Sequence, residues 1–239
     1  MAKPEVIIFT PTEAESRALA EGLAEAEFDG FIPRVLATGP GRDRTRAAVE
    51  ATAAPLMAGR DKPLLLIGAG RCRPLAGGLL PGEMAASGAV FLKEGLVLTA
   101  SEPLVQAVID RLAAKGFRPG RLADEEAGAG RLEPGCLAAD SESAGLALAA
   151  AGLSKAGTRS SPVSAEPPEH QRGSGDALPP RGPEPAWLNL RLAPDGPDQD
   201  RDDYLEALTL KLLVALSTLD RTPPPSACSS CRNPCNIFK

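Results

Sequence analysis

Aromatic rings are scarce in this 239-residue chain: six Phe, one Tyr and one Trp, or 3% of the sequence. Any core must therefore close by aliphatic packing, with few large ring anchors. Histidine is scarcer still. The single one, His170, sits in a stretch at residues 154–185 rich in Pro, Ser, Gly, Glu and Arg and without apolar periodicity. Such a stretch reads as an exposed, poorly ordered loop, and a loop of that kind does not preorganise a site, so His170 reads as an incidental surface histidine. Long hydrophobic runs are missing. The first apolar run, residues 6–9, is too short for a signal sequence or a membrane span. An excess of positive charge is missing too. Lys and Arg number 26 against 31 Asp and Glu, and the cations are scattered, which argues against a nucleic-acid groove. These absences lead us to expect a cytoplasmic protein with no nucleic-acid partner and no membrane span. In that compartment the five cysteines suggest a metal, a redox role or plain buried thiols before they suggest disulfides.

What remains is enough for one sizeable α/β domain or two small ones. Short β-like runs at residues 6–9, 35–38 and 64–67 alternate with helical patterns at 13–25 and 43–57. The run at 64–67 is continuously apolar and ends in Gly68-Ala69-Gly70, as suits a strand buried on both faces. Residues 89–92 and 96–99 read as a possible hairpin. The helix that follows can be capped by Ser101 and closed by Gly116, with Leu104, Val105, Val108, Ile109 and Leu112 on one face. Residues 137–139 read as a strand feeding an Ala/Leu-rich helix to about 151, and 187–192 as another strand. A last helix, capped by Asp202 or Asp203, carries Leu205, Leu208, Leu212, Ala215, Leu216 and Leu219 on its apolar face. This order predicts a three-layer α/β sandwich, its central, largely parallel or mixed sheet flanked by helices. The domain spans 1–222, and 223–239 form a cysteine-rich tail.

Five segments resemble, in order, the motifs of the purine nucleoside phosphorylase/nucleosidase superfamily. The nearest branches are the methylthioadenosine/adenosylhomocysteine, futalosine and hopanoid-associated nucleosidases. The segments are Ile7-Ile8-Phe9-Thr10-Pro11-Thr12-Glu13-Ala14-Glu15; Ala37-Thr38-Gly39-Pro40-Gly41; Ile67-Gly68-Ala69-Gly70 with Gly77-Gly78-Leu79-Leu80-Pro81-Gly82-Glu83; Ala138-Ala139-Asp140-Ser141-Glu142-Ser143-Ala144; and Arg191-Leu192-Ala193-Pro194-Asp195. The resemblance implies a nucleoside phosphorylase-like fold, a small nucleoside-like ligand, a homo-oligomer, and cleavage of an N-ribosidic bond with no required cofactor. It also implies roles. Asp195 would protonate the leaving purine, Glu142 would hold the ribose hydroxyls, and Glu15 or Glu13 would place the attacking water. Ser141, Gly70 and Arg191 would touch substrate. Such chemistry passes through an oxocarbenium-like state that carboxylates stabilise. The plainer alternative keeps Asp195 as a loop acid and Glu142 as a helix-start acid.

Departures from the pattern imply a retained fold with an altered purine pocket. Ser141 replaces a methionine, Pro194 replaces a hydroxyl residue, Glu83 replaces an aspartate, and no ring lies between Phe117 and Asp140. Gly39 and Gly41 could let backbone amides approach a phosphate near Arg42; equally, they could be tight-turn glycines.

The tail is outside the resemblance. Cys228, Cys231 and Cys235, in C-x2-C-x3-C spacing, suit Zn or an Fe–S cluster if Cys72, Cys136, a partner chain or a small ligand supplies a fourth ligand. The alternative is a set of free or redox-labile thiols. One prediction follows from composition alone: residues 154–185 bury too little apolar surface to offset the entropy of ordering. Replacing them with a short Gly/Ser linker should leave the melting temperature nearly unchanged, as thermal unfolding would report; a large drop would show that they pack on the core.

Overall fold

The computed structural model describes residues 3–57, 65–92, 96–100, 103–125, 135–156, 185–196 and 199–221. Most of the Pro/Ser-rich stretch, His170, Ser101 and the whole cysteine tail lie outside the described residues.

The chain begins with β1 (Glu5–Thr10), α1 (Glu13–Ala24), β2 (Ile32–Ala37), α2 (Arg42–Met57) and β3 (Leu65–Arg71). A short β4 (Arg73–Pro74) continues β3 beyond Cys72, and β5 (Met84–Ser87) passes through Gly88 into β6 (Ala89–Phe91). Next come β7 (Val97–Thr99), α3 (Pro103–Ala113), β8 (Arg118–Pro119), β9 (Arg121–Ala123), β10 (Cys136–Ala139), α4 (Ser141–Ala156), β11 (Ala186–Leu192) and α5 (Arg201–Asp220). One sheet has six strands in the order β2-β1-β3-β11-β5-β8, the other five in the order β4-β10-β9-β6-β7. Strands β2, β1, β3 and β11 run parallel; β5 is antiparallel to β11. The expected mixed sheet flanked by helices is therefore present, and β6 and β7 form the expected antiparallel pair.

Alternation along the strands sorts the core into two faces. Val6, Ile8, Leu65, Ile67, Leu188, Leu190 and Leu192 pack against α1, α3 and α5. Ile7, Phe9, Leu66 and Trp187 pack with α2, α4 and residues of the second sheet. On β11, Asn189 and Arg191 share the alternation of Trp187 and so bring polar groups to that second, apolar face; both are fully or almost fully buried. The apolar stripe read for α3 is buried at all five positions.

The differences from expectation are local. Asp200, not Asp202 or Asp203, caps α5, its carboxylate accepting from the Asp202 amide at 2.7 Å. Burial on α5 starts at Tyr204, and Leu205 is only half-buried. Helix α4 runs to Ala156, past the expected end near 151, because Leu153, Lys155 and Ala156 are good helix formers. Strands β4, β5, β8 and β9 escaped detection because they are two to four residues long, too short to display a period.

Helices α2 and α4 pack closely because α4 offers Gly145 at their crossing. A side-chain carbon there would clash with the Arg42 carbonyl oxygen and lie 2.9 Å from Thr45 Cβ. In an open helix Gly→Ala gains about 1 kcal/mol. Here overpacking should prevail, and Gly145→Ala should lower the unfolding free energy by about 1–3 kcal/mol in urea titration. A neutral or stabilised variant would show that the two helices part freely.

Candidate functional site

Parallel pairing aligns the carboxyl ends of β1, β2, β3 and β11 along one edge. In open α/β sheets ligands bind at such an edge. The loops leaving these ends, with the helix starts they feed, carry Glu13, Glu15, Gly39, Gly41, Arg42 and Asp195, whereas Ser141 and Glu142 follow β10 of the second sheet.

After β1, Pro11 and Thr12 lead into α1. Thr12 caps the helix and Glu15 completes a capping box. The Glu15 carboxylate, 4% exposed, accepts from Thr12 N at 3.1 Å and Thr12 Oγ1 at 2.8 Å on one oxygen. On the other it accepts from Tyr204 Oη at 2.8 Å. Glu13 is exposed, so of the two N-terminal acids only Glu15 is built into the interior. The pattern Thr-x-x-Glu was the available signal for this role.

After β2, Thr38 to Gly41 turn into α2. The Gly41 amide donates to Glu142 Oε1 at 2.9 Å. Arg42 donates to Asp124 Oδ2 at 3.0 Å, where the aspartate side chain is 1% exposed. The two groups expected to meet a phosphate, the Gly41 amide and the Arg42 guanidinium, are thus both engaged by carboxylates. Gly39 lies in the same turn, against Arg44.

Ser141 and Glu142 open α4 and are half-buried. The residue before them, Asp140, is buried and accepts from the Ser143 amide at 2.6 Å. Arg191, 1% exposed, donates from Nε to Ser143 Oγ at 2.9 Å and lies 3.2 Å from Asp140 Oδ1. Burial pushes the Asp140 carboxyl up from its ordinary value, while Arg191 and the Ser143 hydrogen bonds pull it down. Asp140 Oδ2, Arg191 Nη1 and both amide atoms of Asn189 are buried without a hydrogen-bond partner among the described residues.

Two glycines of β3 make room for these polar groups. A side-chain carbon at Gly68 would fall 2.5 Å from Asn189 Oδ1; one at Gly70 would fall 2.9 Å from both Arg191 Nη1 and Pro11 Cδ. The segment Gly68-Ala69-Gly70 is therefore the complement of Asn189-Leu190-Arg191, strand against strand in register. Gly70 and Arg191, both expected to touch substrate, stand beside each other. Asp140, Ser143 and Asn189 were missed as participants. For Asn189 the available signal was a polar residue two positions from Arg191 in an otherwise apolar strand.

Asp195 lies beyond the end of β11 and is exposed. Gln199 holds it, accepting from the Asp195 amide at 3.0 Å and donating to Oδ2 at 3.2 Å. The turn at Pro81-Gly82-Glu83 flanks it, with Gly82 N donating to the Ala193 carbonyl at 3.0 Å and Ala193 N to the Glu83 carbonyl at 2.9 Å. Glu142, following β10 of the second sheet, meets the turn after β2 through the Gly41 amide, while Asp195 is held by Gln199 in the loop after β11.

The three tail cysteines lie outside the described residues. Among the described residues no cluster of three or more His, Cys, Asp or Glu could hold a metal. Cys72, a candidate fourth ligand, is buried; burial, with Asp140 beside it, pushes its thiol up to about 12. It is therefore protonated at neutral pH, and the thiolate is the ligating form. Cys136 is buried as well.

No protein-family model matches the sequence, and no curated protein matches it. Solved structures do match. The S-adenosylhomocysteine nucleosidase of Streptococcus pyogenes, in complex with 5-methylthiotubercidin, aligns with a TM-score of 0.62 at 13% identity, over 94% of this chain and 99% of that one. The 5′-methylthioadenosine/S-adenosylhomocysteine nucleosidase of S. pneumoniae, with a transition-state inhibitor, gives 0.59 at 14% identity over 90% and 98%. Helicobacter pylori futalosine hydrolase gives 0.57 at 12% identity over 90% and 97%. The chain therefore shares the α/β fold of these nucleosidase structures. Among the described residues no helix is long and apolar enough to cross a membrane.

Proposed function

We propose that this chain hydrolyses the N-glycosidic bond of a purine nucleoside-like substrate. The observation that carries the reading is that Glu15 follows β1 and Asp195 follows β11 at one carboxyl edge of the six-stranded sheet, while the Glu142 carboxylate, at the start of α4, accepts from the Gly41 amide in the turn after β2, in a fold shared with nucleosidases. In the reaction the bond from C1′ to the base nitrogen breaks and its electron pair goes to the base. Asp195, exposed in the loop after β11, gives the base a proton. Glu142 keeps Oε2 for the ribose hydroxyls while Gly41 steadies Oε1, and its charge complements the cationic sugar as it develops. Water bonds to C1′ and its proton passes to Glu15. Arg191 Nη1, beside Gly70 and Pro11, is a donor behind the sugar position. Water is favoured over phosphate as the nucleophile because the Gly41 amide and Arg42 are already paired with Glu142 and Asp124.

A second reading, a superfamily member that binds a ligand without turnover, draws on two observations. Both Glu15 oxygens are engaged, and Asp195 is tied to Gln199. A nucleoside panel assayed for released base, with and without phosphate, separates the readings. Base should appear at the same rate in both conditions, and Asp195→Asn should slow it by roughly 10²–10⁴, the usual scale of general acid catalysis. No release from any nucleoside, beside a ligand-induced rise in melting temperature, would establish the binding reading instead.

A further inference from the structure

We propose that Tyr204 is a positioning residue of this site, its phenol fixing the Glu15 carboxylate while Arg71 joins the same tyrosine to the loop that carries Asp195. The inference rests on the hydrolase reading for what Glu15 does, and on geometry for how it is held.

Tyr204 lies in the first turn of α5, 189 residues from its partner, and donates to Glu15 Oε1 at 2.8 Å. It is 7% exposed. The Glu15 side chain already closes the α1 cap through Oε2, so the helix start is complete without the tyrosine. The phenolic donor does something else: it sets the direction of Oε1. Burial, followed by the charge of Glu15, pushes the phenol above its ordinary value, while Arg191 and Arg71 oppose this. The proton therefore stays on the tyrosine and the pair is a donor facing an acceptor. The Arg71 guanidinium sits 5.6 Å from the centre of the Tyr204 ring, within cation–π range. Its Nη2 points to the Gly196 carbonyl at 3.5 Å, next to Asp195. Tyr204 thus gathers the start of α1, the end of β3 and the loop after β11 around one ring. The charged and titratable groups facing this pair are Arg71 from β3 and Arg191 from β11, while Glu13, on the helix that carries Glu15, faces solvent.

Tyr204→Phe removes the donor and keeps the ring. Full-length protein labelled with ¹³C at the glutamate side-chain carboxyls, with Glu15→Gln to assign the resonance, reads the loss of the donor without any substrate. In Tyr204→Phe the Glu15 carboxyl resonance at neutral pH should change its position, because Oε1 loses the donor that sets its direction. Thermal unfolding checks that the variant remains folded. In the cleavage assay kcat should fall about tenfold or more at neutral pH with KM within about threefold, as misdirection of a reacting group does. A Glu15 resonance alike in both proteins overturns the inference. So does a changed resonance with an unchanged kcat, which leaves Tyr204 a structural partner only. If the wild type cleaves nothing, the hydrolase reading falls and the positioning role falls with it, while the carboxyl resonance still decides whether the phenol holds Glu15.

Discussion

A guanidinium buried inside the sheet is the constraint around which the rest of this molecule is arranged. Taking such a charge out of water costs several kcal/mol even after relaxation, so the fold must supply a counter-charge and donors' partners at the same depth. Arg191 finds Asp140 and Ser143 at the start of α4. That requirement pins α4 to β11. The Gly145 crossing then brings α4 against α2, and the Glu142 carboxylate reaches the Gly41 amide. On β3, positions 68 and 70 are confined to glycine because Asn189 and Arg191 occupy the space a side chain would need.

This arrangement is unusual for a device that only stabilises. Buried polar atoms are nearly always paired, yet Asp140 Oδ2, Arg191 Nη1 and the Asn189 amide have no partner among the described residues. An apolar set of equal volume would hold the strands together at lower cost. Buried, partly engaged polar groups directly beneath the carboxyl edge of a parallel sheet suit a site that must meet a polar ligand. By contrast Glu15 and Asp124 are tightly engaged, and the Gly41 amide and Arg42, expected to meet phosphate, are taken up by carboxylates of the chain itself.

The architecture was legible from the sequence because the long elements carry strong periods. Residues 64–67 announced a buried strand, the stripe on α3 was read residue for residue, and five ordered motifs pointed to the fold that the nucleosidase structures share. The two-residue strands and Ala-rich β5 carried no period and stayed hidden. The site was legible in its residue types and less so in its wiring. Glu142 and Arg191 could be named from motifs, but their partners could not. Asp140 and Arg191 lie 51 positions apart, and Glu15 and Tyr204 lie 189 apart; only tertiary packing brings them together. Thr12-x-x-Glu15 was a local signal of capping, and reading Glu15 for chemistry alone passed over it. The tail cysteines remain a sequence pattern whose spacing is all that speaks for them.

The claim that the Arg191 charge organises the site is tested most directly by a double-mutant cycle with Asp140. Arg191→Met, Asp140→Asn and the double variant would be compared with the wild type by urea unfolding. Breaking one side of a buried pair leaves the other charge uncompensated and typically costs about 3–5 kcal/mol, whereas losing both costs much less than the sum. The account predicts strong non-additivity of that kind, with the double variant no less stable than Arg191→Met alone. Single losses below about 1 kcal/mol that simply add would contradict it.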